Sequence, residues 1–141
     1  MPLDAAVVRP HVQAMERLFF AASGAFGFLS VALGAFGAHA LRTKLATLED
    51  GAKRLEWWGT ATQYMAIHAL ALALAAYLVG RTSSGAATTA GWAFAVGNVL
   101  FAGSLYAMTL TGVRALGAVT PLGGVAYLVG WACVVAAALK I

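Results

Sequence analysis

Thr60, Tyr64 and His68 stand four residues apart in an otherwise apolar stretch, with Gln63 beside them. That spacing lines side chains up along one side of a helix. A phenol, an amide and an imidazole on one face could hydrogen-bond a ligand, hold a metal or move a proton. Three further motifs lie far away in sequence. His39 closes an earlier apolar stretch, Ser104 and Tyr106 lie in a later one, and Thr120-Pro121-Leu122-Gly123-Gly124 opens the last. The candidate binding residues are therefore His39, Gln63, Tyr64, His68, Ser104, Tyr106, Thr120, Gly123 and Gly124.

What these groups lack narrows the chemistry. No Asp or Glu lies inside any of the long apolar stretches, which argues against a carboxylate proton relay or a cation pump. Ser104 and His68 could serve as nucleophile and base, but no buried carboxylate completes the set that nucleophilic catalysis uses. No catalytic residue is assigned, and the chain is not expected to be an enzyme. His39 and His68 differ in depth by roughly 10 Å at ~1.5 Å per residue, too far to share one metal or haem. No metal and no cofactor is expected. The plainest alternative for both histidines is a satisfied interhelical hydrogen bond, worth about 0.6 kcal/mol on average.

The elements that position these groups follow from the apolar runs. The 141-residue chain is 62% hydrophobic and 10% charged, whereas a soluble domain carries roughly a quarter charged residues. Its basic residues sit between apolar runs rather than among aromatics on a polar surface, which points to lipid headgroups and not to nucleic acid. Four runs, about 18–40, 60–80, 90–113 and 118–139, are each long enough to cross a ~30 Å hydrocarbon core. The fold class is all-α, a four-transmembrane-helix bundle. A seventeen-residue lead-in, 1–17, precedes a membrane domain at 18–141. Ala38-His39-Ala40 resembles a signal-peptide cleavage site, but the run before it exceeds the usual 7–15 apolar residues. The polar segment 42–59 holds Thr47-Leu48-Glu49-Asp50, a capping-box pattern, and predicts an amphipathic interfacial helix between spans 1 and 2. Small residues recur along spans 1, 3 and 4: Ser30, Gly34 and Ala38; Ala90, Gly97, Ser104 and Thr111; Gly123, Gly130 and Ala137. Such seams let helices pack closely. The lone Cys133 excludes a disulfide within the chain.

Gly34–Leu41 (GAFGAHAL), Thr60-Ala61 with Gln63-Tyr64 and His68-Ala69-Leu70, Gly103-Ser104-Leu105-Tyr106, Thr120–Gly124 and Gly130-Trp131 occur in that order. In this the chain resembles the small membrane proteins of the domain of unknown function 423 family, which includes the eukaryotic transmembrane protein 256. The resemblance covers about residues 18–139 and implies a four-span integral membrane protein. It implies no activity.

With four spans, the 42–59 connection and the start of span 4 share one face of the membrane. Tyr64 and His68 then lie ~6 and ~12 Å below His39, with Ser104 and Tyr106 at similar depths. One polar cluster is expected at that end, with His68 facing inward and bonded to another span. The expected role is a structural or accessory module that packs with itself, as a homo-oligomer, or with a larger membrane complex. The alternative is a site for a lipid, quinone-like molecule or transported solute at the loop 1–2 face. The expected location is a bacterial inner or cell membrane, as a multi-pass protein whose first partner is the bilayer.

Overall fold

The computed structural model describes residues 10–141. Residues 1–9 of the expected lead-in lie outside the described residues. Helix α1 (Pro10–Phe36) passes through a π-helical turn at Gly37–Leu41 into the short α2 (Arg42–Leu45). Helix α3 (Gly51–Thr82) follows, then α4 (Gly85–Gly97). A second π-helical segment, Asn98–Ala102, joins α4 to α5 (Gly103–Thr111). A 3₁₀ turn at Arg114–Ala118 leads into α6 (Thr120–Ala138). These pieces make four membrane-length helices: Pro10–Leu45, Gly51–Thr82, Gly85–Thr111 and Arg114–Ala138. Pro10 occupies the first turn of α1, where its missing N–H is tolerated. The helix runs on through Leu18 without a break, so the described part of the lead-in is simply its first two turns.

The 42–59 segment differs from expectation, for it forms no separate interfacial helix. Arg42–Leu45 continues the first span, 46–50 form a turn, and Gly51–Gly59 are the opening turns of α3. The capping box is not made. Thr47 donates instead to the Lys44 carbonyl (3.3 Å), and Asp50 accepts from Arg54 Nε (2.9 Å). Gly51 explains where the chain turns. A β-carbon there would overlap the Leu45 carbonyl, so only glycine lets α3 start against the end of α2. With 32 residues at ~1.5 Å each, α3 outlasts a ~30 Å core. Its charged first turns can therefore stand beyond the hydrocarbon without bending. The other two reversals use left-handed residues, Ser83 (φ 49°) after α3 and Gly112 (φ 74°) after α5.

Helix α3 lies in the middle of the bundle. It packs against α1 on one side and against α4, the second π-segment and α5 on the other, while α6 packs chiefly on α4. Helices α1 and α6 make no substantial contact. The small residues on these faces admit aromatic rings as well as backbone. Phe19 of α1 lies over Gly91, Trp58 over Gly37, Tyr127 over Gly97 and Phe94 over Gly130. The last two are reciprocal: each of α4 and α6 supplies a ring for the other's glycine. The seams Ala90/Gly97/Ser104 and Gly123/Gly130/Ala137 are thus buried within the chain. Gly24 and Gly27 of α1, by contrast, face open space.

Candidate functional site

His68 is buried and held at both ring nitrogens. Nδ1 lies 2.7 Å from the Tyr64 carbonyl of its own helix, and Nε2 accepts from the Trp131 indole of α6 at 3.2 Å. A carbonyl only accepts and an indole N–H only donates, so the ring carries its proton on Nδ1. Tyr127 stacks on the imidazole, with centroids 3.5 Å apart and planes 10° apart. Its hydroxyl donates to Asn98 Oδ1 at 2.8 Å. Tyr64 stacks on Phe101 at 4.5 Å, and Phe94 meets Trp131 edge-on at 5.2 Å. The rings of Tyr64, His68, Phe101, Tyr127 and Trp131 wall a groove of about 600 Å³ between α3 and α6, open toward lipid, with Gly124 and Pro121 at one end. The Tyr64 hydroxyl has no hydrogen-bond partner among the described residues.

The depth of this cluster follows from the charges that bracket each span. His68 stands at the centre of the uncharged stretch between Glu56 and Arg81, and Asn98 at the centre of that between Arg81 and Arg114. Tyr127 is central between Arg114 and Lys140, as is Ser30 between Arg17 and Arg42. Three of these four meet in one buried layer, which places it near the bilayer midplane.

A second polar layer lies at the loop end. Ser104 and Thr120 share a hydrogen bond at 2.7 Å, Thr62 and Tyr106 one at 3.0 Å, and Trp58 donates to the Leu33 carbonyl at 2.8 Å. Closer to the loops, Arg54 reaches the Thr109 carbonyl (3.3 Å) while Thr109 donates to the Arg54 carbonyl (3.1 Å). The expected convergence is therefore divided. His68 does face inward and bonds another span, but Ser104, Tyr106 and Thr120 belong to the other layer. The cause is the start of α3, nine residues before Thr60, which leaves His68 deeper than a span beginning at Thr60 would. His39 is exposed, and its side chain makes no hydrogen bond. Gln63 is exposed on the opposite, α1-facing side of α3. Gly123 is packed tightly on the Phe101 backbone, whereas Gly124 lines the groove. Among the described residues no three His, Cys, Asp or Glu side chains cluster as metal ligands do.

The family of proteins of unknown function DUF423 matches this sequence over residues 33–124. The chain belongs to that family. The UPF0382 membrane protein YwdK of Bacillus subtilis is 48% identical over 113 residues, covering 79% of this chain and 88% of its own. The UPF0382 inner membrane protein YgdD of Escherichia coli is 40% identical over 124 residues, covering 88% and 89%. No solved structure matches. With its four membrane-length helices, this DUF423 chain is a multi-pass integral protein of a bacterial cell membrane.

The residues that sequence reasoning left out of the site are Asn98, Phe101, Tyr127 and Trp131. One signal was available for two of them. Tyr127 and Trp131 are spaced i, i+4 on α6, as Tyr64 and His68 are on α3, and facing pairs of that kind are how two helices stack rings.

Proposed function

We propose that this DUF423 protein is a binding protein rather than an enzyme, and that its α3/α6 groove takes a flat, lipid-soluble ring compound of the quinone-like class. The observation that carries the reading is the Tyr64 hydroxyl, a free donor on the rim of a ring-walled groove near the bilayer midplane. Stacked aromatic walls favour a planar guest, and one placed polar group among apolar walls fixes its orientation. His68 supports the non-enzymatic half of the reading. Its Nε2 lone pair is engaged by Trp131, so it serves as wall and not as base.

Decylubiquinone titrated into the purified full chain in detergent tests this, because a quinone quenches tryptophan fluorescence and Trp131 lines the groove. Saturable quenching is expected, weakened about fivefold by Tyr64→Phe through loss of one hydrogen bond. Gly124→Leu should abolish it, since a side chain there extends into the groove without meeting backbone. Quenching that does not saturate, or that both variants leave unchanged, overturns the reading.

The second reading, an accessory module that associates with itself or another membrane protein, is favoured by α1. Its outer face exposes Phe20, Phe28 and Val31 around the open Gly24 and Gly27. Glycines on a lipid-facing surface suit a neighbouring helix better than acyl chains. Light scattering in mild detergent checks it: an oligomer that Gly24→Leu and Gly27→Leu convert to monomer is the expected result.

A further inference from the structure

We infer that a second site, independent of the ring-walled groove, binds an anionic phospholipid in the cleft where the loop end of α1 meets α3. The cleft has a volume of about 350 Å³. Gly34 and Gly37 line it from α1 and its π-helical turn, Trp58 and Gly59 from α3; its polar groups are Arg42, Gln63 and Thr62, whose hydroxyl is already bonded to the Trp58 carbonyl and Tyr106. Its shape comes from missing side chains. A β-carbon at Gly37 would strike the Trp58 indole, so the indole lies flat on the turn and donates to the Leu33 carbonyl. A β-carbon at Gly59 would meet nothing within 4 Å, so that wall is open.

Charge says what covers this cleft. Arg42 is the first charged residue after the uncharged stretch that begins at Leu18, which sets it at the boundary between hydrocarbon and headgroups. It has no carboxylate partner among the described residues. Two acidic groups at the start of this helix are already paired, Glu56 of α3 with Lys53 at 2.7 Å and Asp50, in the turn before α3, with Arg54 at 2.9 Å. A guanidinium at phosphate depth, with two or more donors free, is matched by a lipid phosphate in bidentate geometry. From Arg42 the cleft runs inward to Gly34, eight residues or ~12 Å of helix, enough to seat the upper half of one acyl chain. The exposed Gln63 amide is available to the ester carbonyls beneath the phosphate. A zwitterionic lipid carries the same phosphate together with its own cation, which competes with Arg42. The site therefore selects lipids of net negative charge.

Native mass spectrometry of the full chain in mild detergent, titrated with dioleoyl phosphatidylglycerol or dioleoyl phosphatidylcholine, tests the site. Phosphatidylglycerol should bind about fivefold more tightly, the preference one arginine near a membrane surface gives. Arg42→Gln should erase the preference and leave phosphatidylcholine binding unchanged. Gly59→Leu should weaken both lipids by filling the acyl track. The Arg42 side chain makes no hydrogen bond among the described residues and a β-carbon at Gly59 meets nothing within 4 Å, so melting temperatures should stay close to that of the parent chain. Excess inorganic phosphate should fail to displace the lipid. Equal binding of the two lipids by the parent chain, a preference that survives Arg42→Gln, or displacement by inorganic phosphate each overturns the inference.

Discussion

Asn98 is fully buried, and its Nδ2 is the one buried side-chain nitrogen or oxygen without a partner among the described residues. Its Oδ1 holds the Tyr127 hydroxyl at 2.8 Å, and so steadies the ring that stacks on His68. The two halves of this pair should respond unequally to mutation. Tyr127→Phe strands both Asn98 atoms and should destabilise by about 1–2 kcal/mol. Asn98→Leu strands the tyrosine hydroxyl but removes an orphan donor, so its loss should stay below ~1 kcal/mol. The double variant should lie near the parent chain, because replacing both partners by apolar groups leaves nothing unsatisfied. Unfolding in mixed micelles of increasing dodecyl sulfate content measures all three, and an additive double variant would mean that the pair carries no coupling. Trp131→Phe leaves His68 Nε2 without its donor and should cost about 0.6–1.7 kcal/mol by the same measurement. His68 was legible in the sequence as an ionisable group inside a span, and so was its inward direction. Its partner was not. Trp131 stands 63 residues away, in the last span, and nothing in the spacing of span 2 names a tryptophan there.

The α6 helix shows how finely an element's glycines divide the work. Gly123 and Gly124 are neighbours, and the sequence offers them as an equivalent pair. In the structure a β-carbon on Gly123 would overlap the Phe101 backbone nitrogen, whereas one on Gly124 reaches only the Phe101 ring, at 4.0 Å. Gly123→Ala should therefore cost about 1–3 kcal/mol as an overpacked contact that backbone cannot relieve. Gly124→Ala should stay within ~0.5 kcal/mol. Thermal melts of the two purified variants check the contrast, and similar losses would refute the register of α6 on the second π-segment. The spans themselves could be read from the sequence because charge is excluded from hydrocarbon. The 42–59 segment misled because its capping pattern and amphipathic spacing suit a short surface helix as well as they suit the protruding start of a long one. What decides between them is Gly51 against the Leu45 carbonyl, a contact that composition and periodicity do not encode.

For the whole molecule, two polar layers at different depths imply different tasks. The loop-end layer ties α3, α5 and α6 together through Thr62–Tyr106, Ser104–Thr120 and Arg54–Thr109. The central layer unites α3, the second π-segment and α6 through His68, Trp131, Tyr127 and Asn98. Helix α1 contributes no side-chain hydrogen bond to either layer's pairs beyond its Leu33 carbonyl, consistent with its broad exposure to lipid. The depth assignment has a direct consequence. Leu70 on α3 and Leu128 on α6 are both largely exposed, and each lies within two residues of the centre of its uncharged stretch. Leu110 is also exposed, but stands four residues from Arg114 at the loop end. Spin labels placed singly at these positions, in a Cys133→Ala background and in bilayers, should sort accordingly. Labels at 70 and 128 should show high collision with oxygen and little with a water-soluble nickel chelate, each reporting a depth of roughly 15 Å from the nearer surface of a ~30 Å core. The label at 110 should be several times more accessible to the chelate. If the label at 70 instead behaves like the one at 110, His68 belongs to the loop end after all. The ring-walled groove would then open into the headgroups, and its guest would have to be amphiphilic rather than dissolved in the bilayer core.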